Sequence, residues 1–332
     1  MTKRHSIGVV VPTLNCAHLL PDHLESMEPW LDVVDQIVVV DSHSDDGTWE
    51  LLQQRLSNHP GASFHQRPRG LYQAWNYGIS QLNTEHTYIS TVGDSITRAG
   101  LEHLVGVAND LQVDVVVSKP DFVEEDGSPL PVGIHWPVDE IVGVLGVKEP
   151  TAIDEWTALI FQIVDPVDAI LGSSASNIYR TALLQSRPFP TEYGTVGDGA
   201  WGLANVLNYR LAVTPEKFST FRHHIKSYGK AVYAVSNLND RLYTLLTQSY
   251  RTALGKHQRL ASRASLLGCE EMLNIVQCRM HWQKQLEKSR AMPVPWILNP
   301  LAWQARQMRN GLRTEAVARR TEALRLLSGL NG

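Results

Sequence analysis

Val9-Val10-Val11-Pro12-Thr13-Leu14-Asn15 and Ile37-Val38-Val39-Val40-Asp41-Ser42-His43-Ser44-Asp45-Asp46-Gly47-Thr48 are the two stretches that decide the fold of this chain. Each is a continuous β-branched run that stops abruptly at polar and turn-forming residues. Unbroken apolar runs mark strands covered on both faces, as in parallel sheets. The carboxyl end of such a strand is where open α/β sheets form their ligand crevice. Asp41, set where the second run stops, is therefore a candidate binding group.

Outward from these runs, strand and helix signals alternate through the first 118 or so residues, the pattern of parallel βα units. Strands are expected near 7–12, 36–41, 62–65, 87–92 and 113–118, and helices near 17–28, 47–57, 71–83 and 98–109. Residues 119–133 form an acidic stretch rich in Pro and Gly, with the turn cluster Glu125-Asp126-Gly127-Ser128-Pro129. Two helices, the strand-like Ala175-Ser176-Asn177-Ile178-Tyr179, a helix after Gly197-Asp198 and short strands at 210–213 and 217–221 follow. Beyond Tyr228 the pattern is one of long helices, interrupted at Met292-Pro293-Val294-Pro295 and near Asn299-Pro300.

The chain has 332 residues, 43% of them hydrophobic and 19% charged, an ordinary globular composition with enough length for a large core. Cys16, Cys269 and Cys278 form no C-x-x-C pair, so neither a disulfide framework nor a zinc site is expected and a reducing, cytoplasmic compartment fits best. The short charged N-terminus and an apolar run that ends at Pro12 argue against a signal peptide, and no stretch approaches the length of a membrane span. Charge is uneven: residues 225–332 carry 17 Lys and Arg against 6 Asp and Glu, and the remainder 13 against 28. Such asymmetry implies two differently purposed parts.

Four further segments carry chemistry. Arg69-Gly70-Leu71-Tyr72-Gln73-Ala74-Trp75-Asn76-Tyr77-Gly78-Ile79 begins with an Arg that reads either as a phosphate contact or as a solvated loop residue. Tyr88-Ile89-Ser90-Thr91-Val92-Gly93-Asp94-Ser95 is a strand running into a carboxylate, read equally as a cation ligand or as the cap of a helix starting near Thr97. Gly197-Asp198-Gly199-Ala200-Trp201 places an Asp at a helix start. Phe221-Arg222-His223-His224-Ile225-Lys226-Ser227 supplies a guanidinium beside two imidazoles.

In this order the motifs resemble those of the family 2 glycosyltransferases. Their first strand reads roughly V-I-P-x-Y-N, their second V-D-D-G-S-x-D-G-T, and a G-I-Y-D-A-M-N-K-G-I segment follows. The resemblance covers about the first 228 residues. It implies a GT-A fold: a Rossmann-like α/β sandwich with a mostly parallel central sheet, its donor half about 1–118 and its acceptor half about 119–228, with residues 229–332 as a basic helical appendage. The implied activity is inverting, metal-dependent transfer of a sugar from a nucleotide diphosphate donor, a UDP-sugar, to a hydroxyl of a glycan or lipid-linked acceptor, as in polysaccharide biosynthesis.

The resemblance also assigns roles. Pro12, Thr13, Asn15, Asp41, Arg69 and Asp94 would bind the nucleotide, with Asp41 accepting from the base N–H. Asp94 and His224 would ligate Mn or Mg, and Arg222 would face the leaving group. Asp198 would act as general base, a role that typically contributes on the order of 10²–10⁴ in rate, while Trp201 would touch the acceptor. This chain departs from the family pattern at Ser42, where relatives carry a second Asp, at Gln73, and at the lone Asp94 in place of a D-x-D motif. Those departures suggest the alternative of a catalytically inactive nucleotide-sugar-binding or scaffold protein. A nucleotidyltransferase would show a G-x-G-x-R loop after the first strand, which Pro12-Thr13-Leu14-Asn15 is not. For the basic tail the first expectation is packing of its apolar stripes on the catalytic domain. Peripheral contact with the inner face of a membrane and a partner subunit are the alternatives, and nucleic acid is not expected because the core is acidic.

Overall fold

The computed structural model describes residues 5–131, 134, 136–164, 170–223, 238–256, 258–290 and 299–330. The chain divides into two compact units, one of Met1–Asp154, Ile170–Gly202 and Tyr209–Ser236, the other of Glu155–Ala169, Leu203–Asn208 and Asn237–Gly332. Residues 155–169 and 203–208, which the sequence assigns to the catalytic domain, thus group with the C-terminal helices.

In the first unit the β-branched runs form the strands they promise. Strand β1 (Ile7–Thr13) is buried along its whole length and pairs in parallel with β2 (Gln36–Asp41) and with β4 (His86–Ile89). Strand β3 (Ala62–Gln66) extends the sheet beyond β2. Helices α1 (Leu20–Met27), α2 (Thr48–Leu56), α3 (Leu71–Ser80) and α4 (Arg98–Asp110) connect or follow these strands. Leu20, Leu24 and Met27 of α1 and Leu101, Leu104 and Ala108 of α4 pack with Val9, Val11, Ile37 and Val39 in one apolar core, the stripe-on-sheet burial that gives an amphipathic helix most of its stability. Helix α3 rides close to the sheet at Gly78, where an added Cβ would come within 2.5 Å of Val10 Cγ1.

The pattern turns irregular after β5 (Ser95–Ile96), β6 (Val115–Val117) and β7 (Asp121–Val123). Helix α5 (Pro137–Leu145), strand β8 (Thr151–Ile153) and helix α6 (Glu155–Val164) precede β9 (Asn177–Arg180), α7 (Thr181–Ser186), α8 (Gly197–Asn205), β10 (Leu211–Val213) and β11 (Ser219–Arg222). Among the described residues the main sheet has eight strands in the order β3-β2-β1-β4-β9-β6-β10-β8, and β5, β11 and β7 make a three-stranded sheet. The main sheet is mostly parallel, but β9 runs antiparallel to both β4 and β6, and β8 antiparallel to β10.

The second unit is helical: α6 with α9 (Leu238–Lys256), α10 (Gln258–Leu266), α11 (Cys269–Arg290) and α12 (Pro300–Leu330). Ile275 packs on Ala316, and Leu286 on Ala302 and Ala305, so α11 and α12 lie side by side. The expected stripe on α12 is split: Ala302 and Ala305 are buried, whereas Leu301 and Met308 are exposed. No helix among the described residues is long and apolar enough to cross a membrane.

Candidate active site

The carboxyl ends of β1, β2 and β4 lie along one edge of the sheet and carry the candidate residues. Thr13 Oγ1 donates to Asp41 Oδ1 at 2.9 Å, and Ser44 donates to the same carboxylate twice, through its hydroxyl (2.6 Å to Oδ1) and its N–H (2.8 Å to Oδ2). Asp41 is 0% exposed. Three donors satisfy most of the acceptor capacity that a buried carboxylate requires, so Asp41 organises the loop after β2 and keeps one lone pair on Oδ2. Pro12 and Thr13 are buried as well.

Asn15, by contrast, is exposed and takes the left-handed backbone conformation, as does His43 across from it. Such residues are uncommon outside Gly and gather at functional loops. The two loops are cross-tied: Asn15 N–H donates to Ser44 Oγ at 2.9 Å and Asn15 Oδ1 accepts from Asp45 N–H at 3.0 Å.

Asp94 follows β4 and is 8% exposed. Its Oδ2 accepts from Thr91 Oγ1 at 2.8 Å and its Oδ1 from the Arg222 N–H at 2.9 Å. The cap of α4 is Thr97, which accepts from Gly100 N–H, so the capping reading of Asp94 is set aside. Burial pushes the Asp94 carboxyl up to about 7, against the pull of the Arg222 and Thr91 bonds. The Arg222 guanidinium donates from Nε to the Gly93 carbonyl (3.3 Å) and from one terminal nitrogen to the Glu125 carbonyl (2.8 Å). His23, on α1, lies behind: its Nδ1 is 2.9 Å from the Asp94 carbonyl and its Nε2 3.1 Å from Ser90 Oγ. Burial lowers its imidazole to about 4, and the neutral ring can donate at one nitrogen and accept at the other.

Asp198 occupies the first turn of α8. Tyr72 Oη donates to its Oδ1 at 2.9 Å and is also within 3.1 Å of the Thr195 carbonyl; Gly199 N–H donates to the same Oδ1 at 2.8 Å. Burial raises the Asp198 carboxyl above its usual range, opposed by the Tyr72 and Gly199 bonds. The residue before it must be Gly: a Cβ at Gly197 would lie 2.4 Å from the Tyr72 ring and 2.8 Å from the Pro190 carbonyl oxygen. Tyr72 stands in the first turn of α3, three residues past Arg69, and Asn76 two-way bonds to the Phe189 backbone hold α3 against the segment leading to α8.

Trp201 is a correction. It is 0% exposed, its indole N–H donates to the Arg187 carbonyl, and its ring stacks on Tyr209 and packs against Phe189 and Tyr179. Both ring faces are spent on the core, so it offers no platform to an acceptor sugar. Trp75, Trp136 and Trp156 are buried too. Arg69 is exposed and bonds to no other described residue. His224 lies outside the described residues. The sequence reading passed over Tyr72, Ser44, Thr91 and His23 as individual residues. Tyr72 and Ser44 sit inside quoted motifs, but nothing in the spacing of His23 singles it out.

Residues 8–165, which hold the Asp41, Arg69 and Asp94 segments, match the model of glycosyl transferase family 2. Those residues belong to glycosyl transferase family 2. The chain's fold is the GT-A type of that family, a mixed α/β domain with a large, mostly parallel sheet and a C-terminal helical region. Residues 1–349 of TarS from S. aureus, in complex with UDP-GlcNAc, superpose with a TM-score of 0.56 at 17% identity over 97% of this chain and 92% of that one. The mannosyltransferase PcManGT from Pyrobaculum calidifontis, in complex with GDP-Man and Mn2+, gives 0.50 at 18% identity over 98% and 87%. At these identities the likeness concerns the fold of this family 2 glycosyltransferase. No curated protein matches the chain.

Proposed function

We propose that this glycosyltransferase is an inverting enzyme that transfers a sugar from a nucleotide diphosphate donor, a UDP-sugar, to a hydroxyl group of a glycan or a lipid-linked acceptor. The observation that carries the reading is the bond from Tyr72 to Asp198, which joins the segment after Arg69 to the start of α8 and engages a carboxylate of raised proton affinity. Asp198 takes the proton from the acceptor hydroxyl as that oxygen bonds to the anomeric carbon. The nucleoside diphosphate departs from the opposite face with the electron pair of the broken bond, and the configuration inverts.

The nucleotide half rests on the cross-tied loops after β1 and β2, with the backbone of Pro12 and Thr13, Asn15 and the remaining lone pair of Asp41 toward the base. Arg69 and Arg222 would meet the diphosphate, where a planar guanidinium pairs with phosphate oxygens. UDP-GlcNAc in the TarS complex and GDP-Man in PcManGT are donors of this chemistry.

Asp94 also fits a divalent cation. Each of its oxygens has one protein donor and retains a lone pair, and burial raises its proton affinity. Hard oxygen donors of this kind suit Mg or Mn, and PcManGT was obtained with Mn2+. Asp94 would hold the ion, with His224 as the expected second ligand and the diphosphate completing the shell. When bound, the ion neutralises charge on the leaving diphosphate.

The test is transfer and donor hydrolysis across UDP- and GDP-sugars with the Asp198→Asn variant. Loss of turnover by about 10²–10⁴ with UDP affinity unchanged is expected. Undiminished turnover would remove Asp198 from the role, and UDP binding without turnover by the native chain would favour the inactive nucleotide-sugar-binding protein.

A further inference from the structure

A second cluster of ligating side chains lies at the opposite edge of the sheet. His5 precedes β1, Glu85 precedes β4 and His86 opens it. These are the amino ends of two paired strands, whereas Asp41 and Asp94 follow carboxyl ends. The pairing of Ile7 with His86, the His86 N–H bond to the Ser6 carbonyl and the Glu85 N–H bond to Ser6 Oγ fix the three residues beside one another. One donor atom from each lies within 4.8 Å of the others.

His86 is the informative member. It is fully buried, and its Nδ1 has no hydrogen-bond partner among the described residues, an arrangement that costs free energy unless something occupies the position. Its Nε2 faces the side-chain amide of Asn109, 3.4 Å from Oδ1 and 3.1 Å from Nδ2. Nδ1 presents a lone pair when the ring proton sits on Nε2, with the Asn109 amide turned to offer Oδ1 to it. Burial, with the nearby Arg180 charge, lowers the imidazole to about 4, so the ring is neutral, the state that metal coordination requires. The Arg180 guanidinium is tied to Asn109 Oδ1 at 3.1 Å, and the Glu85 carboxylate supplies opposing charge.

We propose that His5, Glu85 and His86 form a binding site for a divalent transition metal of the zinc type, separate from the cation of the donor site. Two imidazoles and a carboxylate are an established ligand set for Zn2+, at bonds of about 2.0–2.2 Å, which places tetrahedral ligands about 3.4 Å apart. His5 Nδ1 and Glu85 Oε2 already stand 2.8 Å apart. Both side chains are partly exposed, and water would take the fourth position. The ion would fasten the residues leading into β1 to the start of β4.

The experiment uses the full chain without a histidine tag, stripped of metal and loaded with Zn2+ alone. Retained zinc is measured after gel filtration and the thermal midpoint with and without Zn2+, for the native chain and for His5→Ala, Glu85→Gln and Asp94→Asn. One equivalent retained by the native chain and by Asp94→Asn, lost in His5→Ala and Glu85→Gln, with a Zn2+-induced rise in midpoint that follows the same division, is the expected result. Both variants alter partly exposed side chains, and circular dichroism matching the native chain verifies their folding. No zinc retained by the native chain, or retention unaffected by His5→Ala and Glu85→Gln, overturns the proposal.

Discussion

His23 holds Asp94 from behind: the imidazole Nδ1 lies 2.9 Å from the Asp94 backbone carbonyl, while Nε2 lies 3.1 Å from the Ser90 hydroxyl at the end of β4. A histidine on α1 thereby sets the position of a carboxylate 71 residues away. His23→Phe keeps the ring's bulk but abandons two buried polar partners, which costs about 1–3 kcal/mol. Denaturant unfolding should show that loss as a lower midpoint, and UDP affinity in the presence of Mn2+ should fall with it. Unchanged values for both would mean that the carbonyl finds another donor at once.

Tyr72→Phe removes one hydrogen bond from the Asp198 carboxylate. That bond favours the charged form, so its loss raises the proton affinity of Asp198 further. A base works only when deprotonated, and the acid limb of kcat/KM should therefore move to higher pH. Activity is expected to drop most on the acid side of the profile and to recover partly at more alkaline pH. A profile that falls uniformly would assign Tyr72 a packing role only.

Gly197→Ala tests the tightness of the same junction. The added methyl would press on the Tyr72 ring and on the Pro190 carbonyl, neither of which is a flexible chain end. Overpacking of this sort costs about 1–3 kcal/mol, and thermal unfolding should report it together with lowered turnover.

Ser44→Ala strips the hydroxyl that donates to Asp41 Oδ1 and accepts from Asn15 N–H. Bonds to charged groups contribute about 1.5–3 kcal/mol. Calorimetry should find nucleotide affinity reduced, because the loops after β1 and β2 lose their cross-tie. Thr13→Val, which removes one donor from Asp41 and leaves the Asn15 tie in place, should weaken binding less.

The donor half was readable because its strands are buried on both faces and announce themselves as unbroken Val and Ile runs; β1, β2, β3 and α1 to α4 fall within a few residues of the sequence expectation. The later strands are two to four residues long, too short for a periodic signal, and β5, β7 and β8 escaped notice. Thr13 bonds to Asp41 through its hydroxyl and Arg222 to Asp94 through its backbone N–H, contacts that motif order does not specify. Trp201 was misjudged because an indole that caps a sugar and one that fills a core look alike in sequence; its stacking on Tyr209 depends on chain returning from beyond α8. His23 could not be foreseen, since its partners are a distant carbonyl and Ser90.

Strand β9 sits between β4 and β6, so the first 118 residues do not make a continuous sheet by themselves. A fragment ending there would leave one flank of β4 and both flanks of β6 without ladder partners, the open edges that invite aggregation. During synthesis the strand that leads to Asp94 must wait for residues 177–180 to leave the ribosome before its second ladder can close. Order around the strand that leads to Asp94 is thus completed by chain from beyond residue 118, and neither stretch is a natural unit for excision, fusion or domain shuffling.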